Sequence, residues 1–201
     1  MFKRRRGEMC TWLRRNERDM ADCGRGTPVQ QLERAGLLGP NLLAIHANYL
    51  GCGDAALLAR HGVSVVHCPR SHRYFRHRPF PLRSLLNVGV NVCLGTDSLA
   101  TVLKRPRQKV ELNLFEEMQE LALRAPWLAP QTILAMATSH AARALGMAGR
   151  IGEISEGACA DLVVIPHEGP LAEACEAVIH HTGWVRASMI EGRWASAPAL
   201  R

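Results

Sequence analysis

Val90-Asn91-Val92-Cys93-Leu94-Gly95-Thr96-Asp97-Ser98 is the stretch from which the rest of this chain is read. A mostly apolar, β-type run ends in a Gly-Thr turn, and a carboxylate stands at its exit. That is the pattern of a buried parallel strand opening on the rim of a barrel or sheet. Two earlier runs end in a histidine in the same way: Leu42-Leu43-Ala44-Ile45-His46 and Val63-Ser64-Val65-Val66-His67. His46, His67 and Asp97 therefore face one shared cleft. Two imidazoles and a carboxylate suit zinc or iron, and equally suit metal-free acid–base work. Taken singly, each residue also has a plain structural use, as a core histidine or a helix cap. Their recurrence on three successive strands favours a functional cleft.

The segments between these runs complete an α/β pattern. The reading places strands at 42–46, 63–67 and 90–94, helices at 53–60 and 81–87, and a long loop at 68–80. Longer helices follow at about 108–124 and 130–145. Strands alternating with helices at this spacing mark βαβ units on a parallel sheet. Upstream, residues 7–20 read as a helix with Trp12, Leu13, Glu17 and Met20 on one face. Thr27-Pro28 caps a second helix that runs to about Ala35.

Beyond Gly146 the chain changes character. Turn residues crowd 151–157, Asp161 to Pro166 reads as a strand, and a helix is expected near 171–177. Trp184 to Ile190 forms a strand that turns at Glu191-Gly192 into Arg193-Trp194-Ala195. This divides the chain into an α/β body, 1–147, and a small β module, 148–201, with Trp184 and Trp194 as packing residues of the module. His140 is assigned to the packing of the 130–145 helix. Cys68 and Cys93, on apolar strands, read as buried structural thiols rather than nucleophiles.

Composition narrows the class. The chain has 201 residues, 47% of them hydrophobic and 21% charged, as in globular domains. No apolar run approaches the roughly 18 residues of a membrane span, and no signal peptide is read. Seven cysteines without a Cys-x-x-Cys pair suit free thiols in a reducing cytoplasm. The net charge is +7, with a basic tip at Lys3 to Arg6 and a basic run from Lys104 to Lys109. Both are read as solvated helix starts. The tip lacks the interleaved aromatics of a nucleic-acid surface.

The motifs Ala44-Ile45-His46, Val65 to His72, Leu94 to Ser98, Phe115-Glu116-Glu117-Met118, Thr138 to Gly146 and Gly152 to Ile165 resemble the C-terminal half of the amidohydrolase superfamily. The likeness is to its branch of chlorohydrolases and of cytosine, guanine and adenosylhomocysteine deaminases. The resemblance implies a (β/α)8 TIM-type barrel, of which these strands would be the sixth to eighth. The tail would be part of a flanking β-sandwich. It implies metal-dependent hydrolysis of a non-peptide C–N bond, with deamination of a heterocyclic or nucleoside-like small molecule expected. Asp97 would bind the metal, zinc or iron, and shuttle a proton. His46 would contact substrate and polarise the water. His67, Arg70, Ser71 and His72 would line the substrate pocket, relatives often having Asn at the position of His72.

The same resemblance exposes a departure. The family's first strand ends in His-x-His, and its fifth supplies a further histidine. Neither His-x-His nor His-x-x-Glu occurs here, and His180-His181 reads as surface. Only Asp97 of the metal set is present, whereas a catalytic zinc typically takes about three protein ligands. The expectation is a truncated form that lacks strands one to five and has little hydrolase activity alone. The alternative is a non-catalytic remnant that forms a homo-oligomer or pairs, through open sheet edges, with a complete relative.

Overall fold

The computed structural model describes residues 4–21, 23–104 and 110–198. The basic run of 104–109 therefore lies, beyond Lys104, outside the described residues. Two N-terminal helices, α1 (Glu8–Arg15) and α2 (Pro28–Arg34), precede the first strand. Thr27 caps α2 as its sequence demands. Its hydroxyl accepts from the Gln30 N–H, while the Gln30 side chain accepts from the Thr27 N–H. The same hydroxyl donates to Asp54 Oδ1 at 2.6 Å, tying α2 to α3 (Asp54–Arg60).

Strands β1 (Leu43–Ile45), β2 (Ser64–His67) and β3 (Val92–Leu94) form a parallel sheet in the order β1-β2-β3. Ala44 pairs with Val65, and Val65 with Val92. α3 links the first two strands; α4 (Pro69–Tyr74) and α5 (Leu82–Asn87) link the second and third. α4 occupies part of 68–80, where the sequence reading expected a loop. Its buried residues are Pro69 and Ser71, so no apolar periodicity advertises it. β2 and β3 are buried, but Ile45 on β1 is 59% exposed, which marks β1 as an edge.

α6 (Leu114–Arg124) lies against α4, and α7 (Pro130–Ala137) and α8 (Ser139–Ala144) lie against β3. The single helix expected over 130–145 is thus two. Thr138, at φ −125° and ψ −96°, interrupts it, and its hydroxyl donates back to the Leu134 carbonyl. Gly152 closes on this break at φ +79°. A Cβ there would meet the Thr138 carbonyl at 2.8 Å, so only glycine fits.

The core joins Val65, Leu85, Val92, Met118, Ile133 and Met136 between the parallel sheet and its helices. The tail holds β4 (Leu162–Val164), α9 (Ala174–Ile179), β5 (Ala187–Ile190) and β6 (Arg193–Ser196), with the three strands in an antiparallel sheet. Ile179 of α9 belongs to the same core as the parallel sheet, so the tail is packed onto the body rather than only tethered to it. Trp184 and Trp194 do not pack the tail. They are 95% and 51% exposed, because the three-stranded sheet offers them no opposing layer among the described residues.

Candidate active site at the ends of the parallel strands

The sheet brings the ends of its three strands together, as parallel register requires. His46 continues the ladder past β1, its N–H donating to the Val66 carbonyl at 2.8 Å. The chain then turns sharply, with His46 at φ 71° and Ala47 at φ 43°. Asp97, beyond β3, stands at φ 54°. Non-glycine residues seldom occupy this left-handed region, Asn, Asp and His more readily than most, so Ala47 is the strained position and such positions collect at functional sites.

Asp97 is held from two sides. Its Oδ2 accepts from Ser71 Oγ at 2.5 Å and from Thr101 Oγ1 at 3.2 Å. His46 Nε2 lies 3.9 Å from the same oxygen, near enough for an ion pair when the imidazole is protonated and too far for a hydrogen bond. Ser71 is buried on the first turn of α4, so it reaches Asp97 and positions it.

His67 lies deeper. Its ring stacks on Phe80 at 3.8 Å between centroids and meets the His72 ring edge-on at 5.4 Å. Burial, and then the nearby imidazoles of His72 and His46, lower its pKa to about 3, so it is neutral at physiological pH. His72 Nδ1 is 2.9 Å from Asn48 Oδ1 and donates to it. Burial, then His77, also lowers the His72 pKa. Both rings are therefore uncharged walls rather than cations.

Arg70 does not join this group. Its guanidinium lies 2.7 Å from Glu116 and 3.8 Å from Glu117, and it donates to the Glu111 carbonyl. Its backbone N–H donates to Glu117 Oε2 at 3.0 Å. Glu117 is 0% exposed, and burial raises its pKa to about 7 against the opposing pull of Arg70. The sequence reading quotes Glu117 within a family motif but gives it no site role, and it names no role for Asn48. Glu117 was legible as a charge beside Met118 and Leu121 on the stripe that α6 buries. Asn48 carried only its nearness to His46.

The donor set of these residues does not by itself make a metal site. No group of three or more His, Cys, Asp or Glu side chains among the described residues is placed to hold an ion. Asp97 and His46 share a spot, but His67 is turned onto Phe80. The described residues of this chain alone therefore do not fit a catalytic metal.

A family profile, that of the Amidohydrolase family, matches residues 17–195. The chain belongs to the amidohydrolase family. A 5-methylthioadenosine/S-adenosylhomocysteine deaminase of Syntrophobacter fumaroxidans is 41% identical to this amidohydrolase over 179 residues. A 5'-deoxyadenosine deaminase of Methanoregula boonei is 36% identical over 183 residues. These matches cover 83% and 84% of this chain and 39% of each relative. The crystal structure of an adenosine deaminase from Xanthomonas campestris with bound zinc superposes with a TM-score of 0.75 at 30% identity, covering 93% of this chain and 42% of that one. This amidohydrolase chain thus spans about two fifths of the length of the curated relatives it matches. Its described residues have a mixed α/β amidohydrolase fold, and no helix among them is long and apolar enough to cross a membrane.

Proposed function

We propose that this amidohydrolase chain supplies the sixth, seventh and eighth strands of a (β/α)8 barrel, over residues 1–147. Residues 148–201 supply part of a flanking sandwich. The assembled protein hydrolyses a C–N bond of an adenine-type nucleoside, releasing ammonia. Water adds to the ring carbon bearing the amino group, and the C–N bond to that group breaks. Asp97 takes the proton from the water and passes it to the departing amine. His46 contacts the substrate and polarises the water. His67 and His72 form neutral walls of the substrate pocket, Ser71 fixes Asp97, and Arg70 anchors the first turn of α4, which carries Ser71. A divalent metal, zinc or iron, would have Asp97 as its one ligand from this chain. All seven cysteines are unpaired, which supports a cytoplasmic setting.

One observation carries this reading. Asp97 at the end of β3 is anchored by Ser71 from beyond β2 and faced by His46 from the end of β1. The test is complementation. The chain is co-expressed with the N-terminal part of the Syntrophobacter relative, and ammonia release from adenosine and 5-methylthioadenosine is followed. The relative's own two parts serve as the control. Release that disappears in Asp97→Asn is expected. A working control beside an inactive hybrid, or turnover that survives Asp97→Asn, would overturn the reading.

A further inference from the structure

Between α4, the first turn of α5 and the C-terminal end of α6 lies a cavity of about 730 Å³, within the size range of small-molecule sites. Arg73, Arg76, Arg83 and Arg124 line it, and no Asp or Glu does so among the described residues. Glu120, just behind that lining, accepts from Arg73 Nη1 and Arg124 Nε, both at 2.9 Å. One carboxylate against four guanidiniums leaves a strong positive excess. The Arg83 guanidinium lies 3.9 Å over the Trp127 ring and so faces an aromatic rather than an acid. Arg76 pairs with no carboxylate among the described residues. It also stands at φ 52°, in the left-handed region that arginine seldom adopts.

Phe80, Trp127, Leu82 and Leu121 add an apolar and aromatic lining, with Trp127 under the Arg83 guanidinium. His72 and His77 line the cavity too. Burial first, then His77 and more weakly Arg124, lower the His72 pKa against a backbone hydrogen bond at Arg78 that raises it, in keeping with the cationic lining.

We propose that this cavity binds a small organic anion. A phosphate or carboxylate is held in the forks of Arg76, Arg73 and Arg124, and its aromatic or heterocyclic body packs on Phe80 and Trp127. The cavity shares His67 and His72 with the proposed reaction cleft. The anion is therefore either the far end of the substrate, which rests on the deaminase reading, or a separate ligand beside it.

Calorimetric titration of the 201-residue chain with phenyl phosphate, benzoate and neutral benzyl alcohol tests this. Both anions are expected to bind about tenfold or more tighter than the alcohol, and to lose about tenfold when salt rises from about 50 mM to about 500 mM. Arg76→Asn, which keeps a residue tolerant of the left-handed backbone, and Arg83→Gln should each cost several-fold in anion affinity with unchanged melting. Equal binding of charged and neutral probes, or affinity unmoved in both variants, overturns the proposal. In the complemented enzyme, phenyl phosphate competing with the nucleoside identifies the substrate's own end, and non-competitive binding identifies a separate ligand. Because the titration reads binding without turnover, a failed ammonia assay leaves this site standing, and a failed titration leaves the deaminase reading standing.

Discussion

The hydroxyl of Ser71 donates to the carboxylate of Asp97 at 2.5 Å, joining the turn after β2 to the turn after β3. Twenty-six residues separate the two in sequence. The bond exists only because parallel register sets the two strand ends side by side. Ser71→Ala should remove it without creating a large void, and should cost about 1 kcal/mol of stability by urea unfolding. In the complemented enzyme the same change should lower kcat by about tenfold with KM little altered, since it loosens the carboxylate proposed to act on the reacting water.

Glu117 gives the protein a pH-dependent weakness. Burial raises its carboxyl from 4.5 to about 7. The folded state therefore binds this proton more tightly than the unfolded state, and stability from this group falls as pH rises from about 4.5 to about 7. Above that window the cost is fully developed. Glu117→Gln should stabilise the chain by about 2 kcal/mol at pH 8, with the gain shrinking toward pH 5. Paired urea titrations of the two proteins at these pH values measure it, and a gain that does not depend on pH would reject the assignment.

His67 behaves in the opposite sense. Its pKa is lowered to about 3 by burial, so the unfolded chain binds the proton more tightly between about 3 and the ordinary 6.5. Stability from this group is complete above that window and is lost as pH falls through it. Its imidazole resonances should stay unchanged from pH 5 to pH 8. Phe80→Ala removes the stacked ring, opens His67 to water and should bring its titration back toward pH 6, at a cost of about 2 kcal/mol.

The strand thiols are expected to be inert. Burial pushes Cys68 up to about 12 and Cys93 up to about 11, and Cys52 is exposed. At pH 8 a disulfide reagent should modify Cys52 rapidly in the native protein and reach Cys68 and Cys93 only on unfolding. Mass spectrometry of the labelled peptides reads the order, and fast labelling of Cys68 would show that β2 is open.

Two features were legible because their signals are local. The alternation of apolar runs and helical segments placed β1, β2 and β3 to within a residue or two. The end of each run then named His46 and His67, and the Gly-Thr turn after the third named Asp97. Thr27-Pro28 announced its helix because a cap and a proline act on the backbone beside them. α4 was missed because it buries a proline and a serine. The break at Thr138 was missed because it answers Gly152, a residue of the next segment.

The sequence alone determined that three apolar runs form parallel strands with His46, His67 and Asp97 at or just beyond their ends, and its motifs named the family. Strand burial and motif order are written in consecutive residues. Tertiary structure alone decided which side chains meet: Ser71 with Asp97, Arg70 with Glu117 away from the cleft, His67 with Phe80, and four arginines around one cavity. These contacts join residues far apart in the chain. Each is fixed by strand register and helix packing, which set distances and burial that residue identity does not encode.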